Sequence, residues 1–234
     1  MIRNPSLRLA GLALAAALAT GGAQAATIVK NNSSISNIPG LTGFSTTGAM
    51  MTGLAVTANF TNSFSETLLW GTTGATSGGV VGTGWDLSLT GDTFSALWNF
   101  NFGANSGLQL LSLVLDGTNA LTVLDTTSPS TGTPGSAAGN DLDMTDLALD
   151  AVTTGTYSSV VAIVPSGFVG DLYQVLTISF ATDANGNFRG PRSNFTFLQD
   201  TDNDSRFGRV PEPGSRALAG LALFGLAAAR RRRA

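Results

Sequence analysis

The side chains best placed to do chemistry are two groups of carboxylates. Asp200, Asp202 and Asp204 alternate in the run Asp-Thr-Asp-Asn-Asp, and hard oxygen ligands at alternate positions are what a calcium loop supplies, so these three are the candidate metal ligands. The run does not continue as an EF-hand, because Ser205 stands where a glycine would turn the loop and Pro211 where a glutamate would close it. Charge clusters beside a chain end are usually solvated, which gives the same run a second reading as an acidic linker. Asp141, Asp143, Asp146 and Asp150 form the other group, behind a glycine-rich stretch. Their spacing would align three of them on one face of a short helix, with exposed loop acids as the alternative. Two acids about 5–10 Å apart can also hydrolyse glycosides. Glu66 and Glu212 are the only glutamates, so any such pair has to draw on aspartate, and glycoside hydrolysis is the weakest of the readings.

Chemistry of other kinds is excluded by what is missing. The chain has no Cys and no His, which removes disulfides, Cys/His zinc sites, Ser-His and Cys-His nucleophile pairs and imidazole acid–base catalysis. The expectation is a protein that is not an enzyme, with no catalytic residue and no cofactor other than a possible calcium ion. Residues 26–210 carry Lys30, Arg189, Arg192, Arg206 and Arg209 against fourteen carboxylates, a formal charge of −9. Such a surface repels phosphate backbones, so no nucleic-acid partner is expected.

The elements that must position these residues read as strands. Leu54, Val56, Ala58 and Phe60 share one face. Trp85, Leu87 and Leu89 alternate with Asp86, Ser88 and Thr90; Gly91-Asp92 then turns the chain, and Phe94, Ala96, Trp98, Phe100 and Phe102 alternate again, which predicts a β-hairpin with one buried face. Further strands are expected at Leu108–Leu115, Leu121–Leu124, Tyr157–Val164, Leu172–Phe180 and Asn194–Leu198, with Leu172–Phe180 central and covered on both sides. Thr126–Asn140, holding Pro129 and Pro134, is a long loop. The pattern predicts an all-β fold over residues 26–209, an antiparallel β-sandwich of jelly-roll type. Trp85 and Trp98 lie in phase with the apolar faces and belong to the core. Trp70, at a strand end before Gly71, is the tryptophan expected at the surface, where it would stack on a sugar ring.

The two ends carry different information. Arg3 and Arg8 precede the apolar run Leu9–Ala19, and Ala23-Gln24-Ala25 follows, the three-part pattern of a secretory signal over residues 1–25. Ala23 and Ala25 fit the small pockets of signal peptidase, so cleavage is expected before Ala26 after export by the general secretion machinery. At residues 210–234, Val210-Pro211-Glu212-Pro213-Gly214 leads into an apolar run from Ala217 to Ala229 and then Arg230, Arg231, Arg232 and Arg233. Prolines two residues apart hold the chain extended for a processing enzyme. The arginine block resists translocation and acts as a membrane stop. A thirteen-residue helix spans only about 20 Å of roughly 30 Å of hydrocarbon, so the expected transmembrane helix is marginal and transient at the inner membrane.

That last segment resembles the PEP-CTERM sorting signal of Gram-negative bacteria. The resemblance implies that Pro211, Glu212 and Pro213 are read by exosortase, a membrane protease-transpeptidase, and that the apolar helix and basic end are then removed. The same segment is sometimes labelled an ice-binding protein C-terminal domain, a name for the proteins that carry it. Pro134-Gly135-Ser136-Ala137 and Gln199-Asp200-Thr201-Asp202-Asn203 are also similar to segments of the globular parts of such proteins, which implies a secreted β-rich domain without a reaction. The expected function is a non-enzymatic envelope or extracellular-matrix protein at the cell surface, associated with exopolysaccharide or biofilm. A secreted binding module for carbohydrate, calcium or ice is the alternative.

Overall fold

Strict alternation of apolar and polar residues forces sheets that hide one face, and two such sheets hide their faces against each other. The computed structural model describes residues 25–205 except 42–44, 105, 129–131, 135, 137–138 and 183–184. The expected signal helix with Ala23, the sorting motif, the apolar helix and the arginine block lie outside the described residues; Ala25 and Ala26 precede the first strand.

In chain order the strands are β1 (Thr27–Lys30), β2 (Ile35–Ile38), β3 (Ala55–Phe60), β4 (Ser65–Leu69), β5 (Gly71–Thr72), β6 (Ser77–Gly82), β7 (Trp85–Thr90), β8 (Trp98–Phe102), β9 (Leu110–Asp116), β10 (Thr122–Asp125), β11 (Asp143–Met144), β12 (Thr153–Ile163), β13 (Phe168–Phe180), β14 (Phe195–Leu198) and β15 (Asp200–Asn203). One helical turn, α1, spans Leu147–Asp150. The first sheet runs β1-β12-β13-β9-β3-β4; β2 also pairs with β12, and β10 lies between β13 and β15. The second runs β11-β14-β8-β7-β6-β5. Together they form a β-sandwich, mostly antiparallel, with β1 and β2 pairing parallel to β12. Among the described residues no helix is long and apolar enough to cross a membrane.

The core lies between the sheets. Val56, Leu113, Leu115, Leu176 and Ile178 from the first meet Trp85, Leu87, Trp98, Phe100 and Phe197 from the second. The second sheet's inner face is an aromatic ladder built from directly opposed residues. Phe195 opposes and stacks on Phe100, and Phe197 opposes and stacks on Trp98, with centroids 5.1 and 5.7 Å apart. Such pairs contribute about 0.5–1.5 kcal/mol each beyond burial.

The long strands fall where alternation places them, and β13 is central, between β12 and β9. Two expectations are overturned. The β7–β8 connection is longer than a two-residue turn: Asp92 accepts from the Phe94 N–H and, through its carbonyl, from Ala96 N–H, so Phe94 turns away 51% exposed and pairing begins only at Trp98. Trp70 is buried at 1% exposure, because its indole N–H reaches the carbonyl of Gly48 at 2.7 Å and its ring packs on Trp98. That approach requires bare backbone: a Cβ on Gly78 would stand 2.2 Å from both the Gly48 carbonyl oxygen and Trp70 Nε1. Gly78→Ala is therefore expected to cost about 1–3 kcal/mol or more by overpacking, read as a lowered urea midpoint with an unchanged slope.

Candidate functional site: a sealed acidic cluster and an arginine-lined groove

The acidic run at the end of the body is a strand, and it is not solvated. Asp200, Asp202 and Asp204 are 4%, 1% and 1% exposed, which overturns the reading of this run as an exposed linker. The physical reason is pairing: Thr122–Asp125 of β10 runs antiparallel to Asp200–Asn203, with Asp125 opposite Asp200 and Val123 opposite Asp202. Alternate residues on a strand share a face but sit roughly 7 Å apart along it, so they line up rather than converge on one ion. Among the described residues no group of three or more His, Cys, Asp or Glu side chains is arranged to hold a metal ion.

β10 and β13 bring two further acids to this end of the sandwich, Asp125 and Asp171, 0% and 5% exposed. Hydroxyls from the long loop meet them. Ser136 donates to Asp125 Oδ2 at 2.5 Å and also touches Asp202, while Thr133 donates to Asp171 Oδ1 from both its hydroxyl, at 2.6 Å, and its amide, at 3.1 Å. Asp200 Oδ1 accepts from the Thr93 hydroxyl and the Thr201 amide, each at 2.8 Å. Among the described residues, Asp125 Oδ1, Asp171 Oδ2 and Asp202 Oδ2 have no hydrogen-bond partner. Burying a charged carboxylate costs several kcal/mol, which favours the protonated forms of Asp125 and Asp202.

Burial pushes Asp125 up to about 8; the Ser136 hydrogen bond opposes this, and the charges of Asp202, Asp171 and Asp200 add to it. Burial likewise raises Asp202 to about 7, opposed by Ser136 and reinforced by Asp200, Asp171 and Asp92. Asp200 rises to about 6 by burial, against its bonds to Thr93 and Thr201. Raised carboxyls of this kind suit acid–base chemistry when they line a cleft. Here they are closed off from any substrate.

The remaining acids are spent structurally and separately. Asp141 pairs with Lys30 at 3.0 Å, and Asp143 is exposed on β11. Asp146 caps α1 by accepting from the amides of Ala148 and Leu149, while Asp150 is buried and accepts from the Met144 amide at 3.4 Å. The three-on-one-face helix does not form, because the helix is only four residues long. Glu66 accepts from the Thr83 amide and the Trp85 indole, both at 2.8 Å, clasping β4 to the β6–β7 turn; the Thr83 bond foremost holds its carboxyl below the usual range.

At the opposite end of the sandwich the β3–β4, β6–β7, β8–β9, β11–β12 and β13–β14 connections surround an open groove of three adjoining depressions. The middle one, about 580 Å³, is lined by Phe102, Arg192 and Asn194 among others. It shares Ser106 and Leu108 with a depression of about 360 Å³ that contains Asn62, Phe64 and Thr83. It shares Ser193 and Asn194 with one of about 240 Å³ that contains Asp146 and Arg189. Sequence reasoning missed Asp125, Asp171, Ser136 and this groove. An aspartate closing an apolar strand, as Asp125 closes Thr122-Val123-Leu124, is the local signal for the first of these.

No family model matches the chain, and neither do any curated proteins or solved structures.

The cluster makes stability fall as pH rises. Each raised carboxyl is protonated in both states below its unfolded value of about 4, where its contribution is fully present, and that contribution is lost progressively up to the folded value. Urea unfolding is expected to show stability declining from about pH 5 to about pH 8, by at most about 1.4 kcal/mol per pH unit for each such group. Asp125→Asn keeps an acceptor for Ser136 and removes the charge, so the variant is expected to be less pH-sensitive and more stable than the parent at pH 8.

Proposed function

We propose that this chain is a non-enzymatic exported protein, a β-sandwich delivered to the cell envelope surface or extracellular matrix and associated there with polysaccharide. The observation that carries the reading is the combination of two end segments that suit export and sorting with a body whose perturbed carboxyls are sealed inside it. Residues 1–25 would be read by the general secretion machinery and removed by signal peptidase. Pro211-Glu212-Pro213, the apolar run and the arginines would hold the chain briefly in the inner membrane for an exosortase-type enzyme. β15 ends at Asn203 and is buried, so the sorting motif begins only a few residues beyond a closed domain. That spacing suits a processing enzyme working at the membrane surface. A hydrolase built on aspartate pairs finds little support, since Asp125, Asp171, Asp200 and Asp202 are all at most 5% exposed. The alternative of a binding module for carbohydrate is favoured by the groove and is compatible with a surface role. Intact-mass and terminal-peptide spectrometry of the protein, expressed in a Gram-negative host possessing exosortase, is expected to find ends at Ala26 and within Val210–Gly214; an intact arginine tail would refute processing.

A further inference from the structure

We infer that the groove at the β3–β4 and β8–β9 end of the sandwich binds an acidic polysaccharide, with Arg192 holding a uronate carboxylate and the rings of Phe102 and Phe64 contacting sugar faces. This deepens the proposed surface role and rests on it only for where the polymer would be met. Three observations support the assignment.

The first is where the cations are. The described residues carry Lys30, Arg189 and Arg192 as their only Lys or Arg side chains, in a body that is strongly acidic. Lys30 pairs with Asp141 on another face, and both arginines line this one groove. Among the described residues no other face offers an anion a guanidinium. A planar guanidinium fork matches a carboxylate in two parallel hydrogen bonds, which an ammonium does not. Asp146 also lines the groove, but its carboxylate accepts the first amides of α1.

The second is preorganisation. Arg192 Nη2 donates to Gln109 Oε1 at 2.7 Å, and Gln109, 8% exposed, is itself fixed by donating to the Gly190 carbonyl at 2.9 Å. Asn194 Oδ1 accepts from the Phe102 amide at 2.9 Å, which sets the orientation of its own amide beside that ring. Polar groups already held in place do not lose their freedom again on binding. Phe64 and Phe102 are half-buried, and both are braced by Phe60 below them, at centroid distances of 5.5 and 6.5 Å.

The third is shape. Three linked depressions of about 360, 580 and 240 Å³ make an open trough with mixed polar and apolar walls. A compact small ligand wants an enclosed pocket that buries most of its surface. A trough with aromatic faces and spaced polar groups fits a linear chain of rings. An acidic peptide shares the charge but not the flat ring faces, so it serves as the control.

The test is affinity measurement on the purified protein with oligogalacturonate, a neutral oligosaccharide of equal length and poly-glutamate. Oligogalacturonate is expected to bind, with affinity falling as salt rises, and the other two to bind at least about tenfold more weakly. Arg192→Gln is expected to lose roughly tenfold or more, the scale of one charge-assisted contact, with Arg192→Lys in between. Phe102→Leu should weaken oligogalacturonate with little change in its salt dependence. Equal binding of the neutral sugar, equal binding of poly-glutamate, or an undiminished Arg192→Gln variant with a native circular dichroism spectrum would each overturn the assignment. Binding is read on isolated protein and end processing in the host, so either conclusion can fail without the other.

Discussion

Gln199 is the residue on which the two sheets depend together. β14 belongs to the second sheet and β15 to the first, so the chain passes between the sheets in the single residue Gln199, as it does at Trp70 between β4 and β5. Gln199 is fully buried, and its neighbours meet the demand. Its amide donates to the carbonyls of Asp125 and Asp200, its side-chain oxygen accepts from the Tyr157 hydroxyl, and its backbone carbonyl accepts from the Trp98 indole. The Tyr157 hydroxyl in turn accepts from the Leu142 amide, which ties the segment after the long loop to the same point. A buried polar crossing of this kind is favourable only when every member is satisfied. Trp98 and Tyr157 therefore serve as hydrogen-bond donors at the crossing as well as core volume.

Beyond that crossing the chain stays polar and stays buried, and this shapes what the protein can do. β15 puts two aspartates, Asp200 and Asp202, into the interior opposite a strand that ends in a third, Asp125, and Asp204 follows them, also buried. Hydroxyls of Thr93, Thr133 and Ser136 cover part of the demand, and protons cover part of the remainder. The acids thus stitch loops to sheets instead of facing solvent. The far end, where connections rather than strands meet and where the arginines lie, is the open one. Separation of the two ends is what lets one be closed and the other open.

Much of the sandwich was legible because period-2 alternation is a local property: β3, β9, β13 and β14 lie where their apolar residues recur. β4, β5 and β6 were not, since Ser65-Glu66-Thr67 and Ser77-Gly78-Gly79 carry too few apolar side chains to mark a face. Trp70 was misplaced because its burial depends on Gly48 and Gly78, two positions whose significance lies in what they lack. The site was legible only in its residue types. Asp200 and Asp202 stand out in the chain, but whether an acid run is solvated or buried is decided by partners such as Thr93, 107 residues away, and Ser136. The groove has no local motif at all, because its lining comes from five separate connections.

The central claim is that the acids at the end of the body are interior and held partly as neutral carboxyls, unavailable to a substrate. Carboxyl carbon chemical shifts of Asp125 and Asp202, followed by NMR across a pH titration of the folded protein, test it most directly. The account predicts midpoints near 8 and near 7. Midpoints near the ordinary aspartate value of about 4 would show solvated, ionised groups and contradict both the sealed cluster and the non-enzymatic reading built on it.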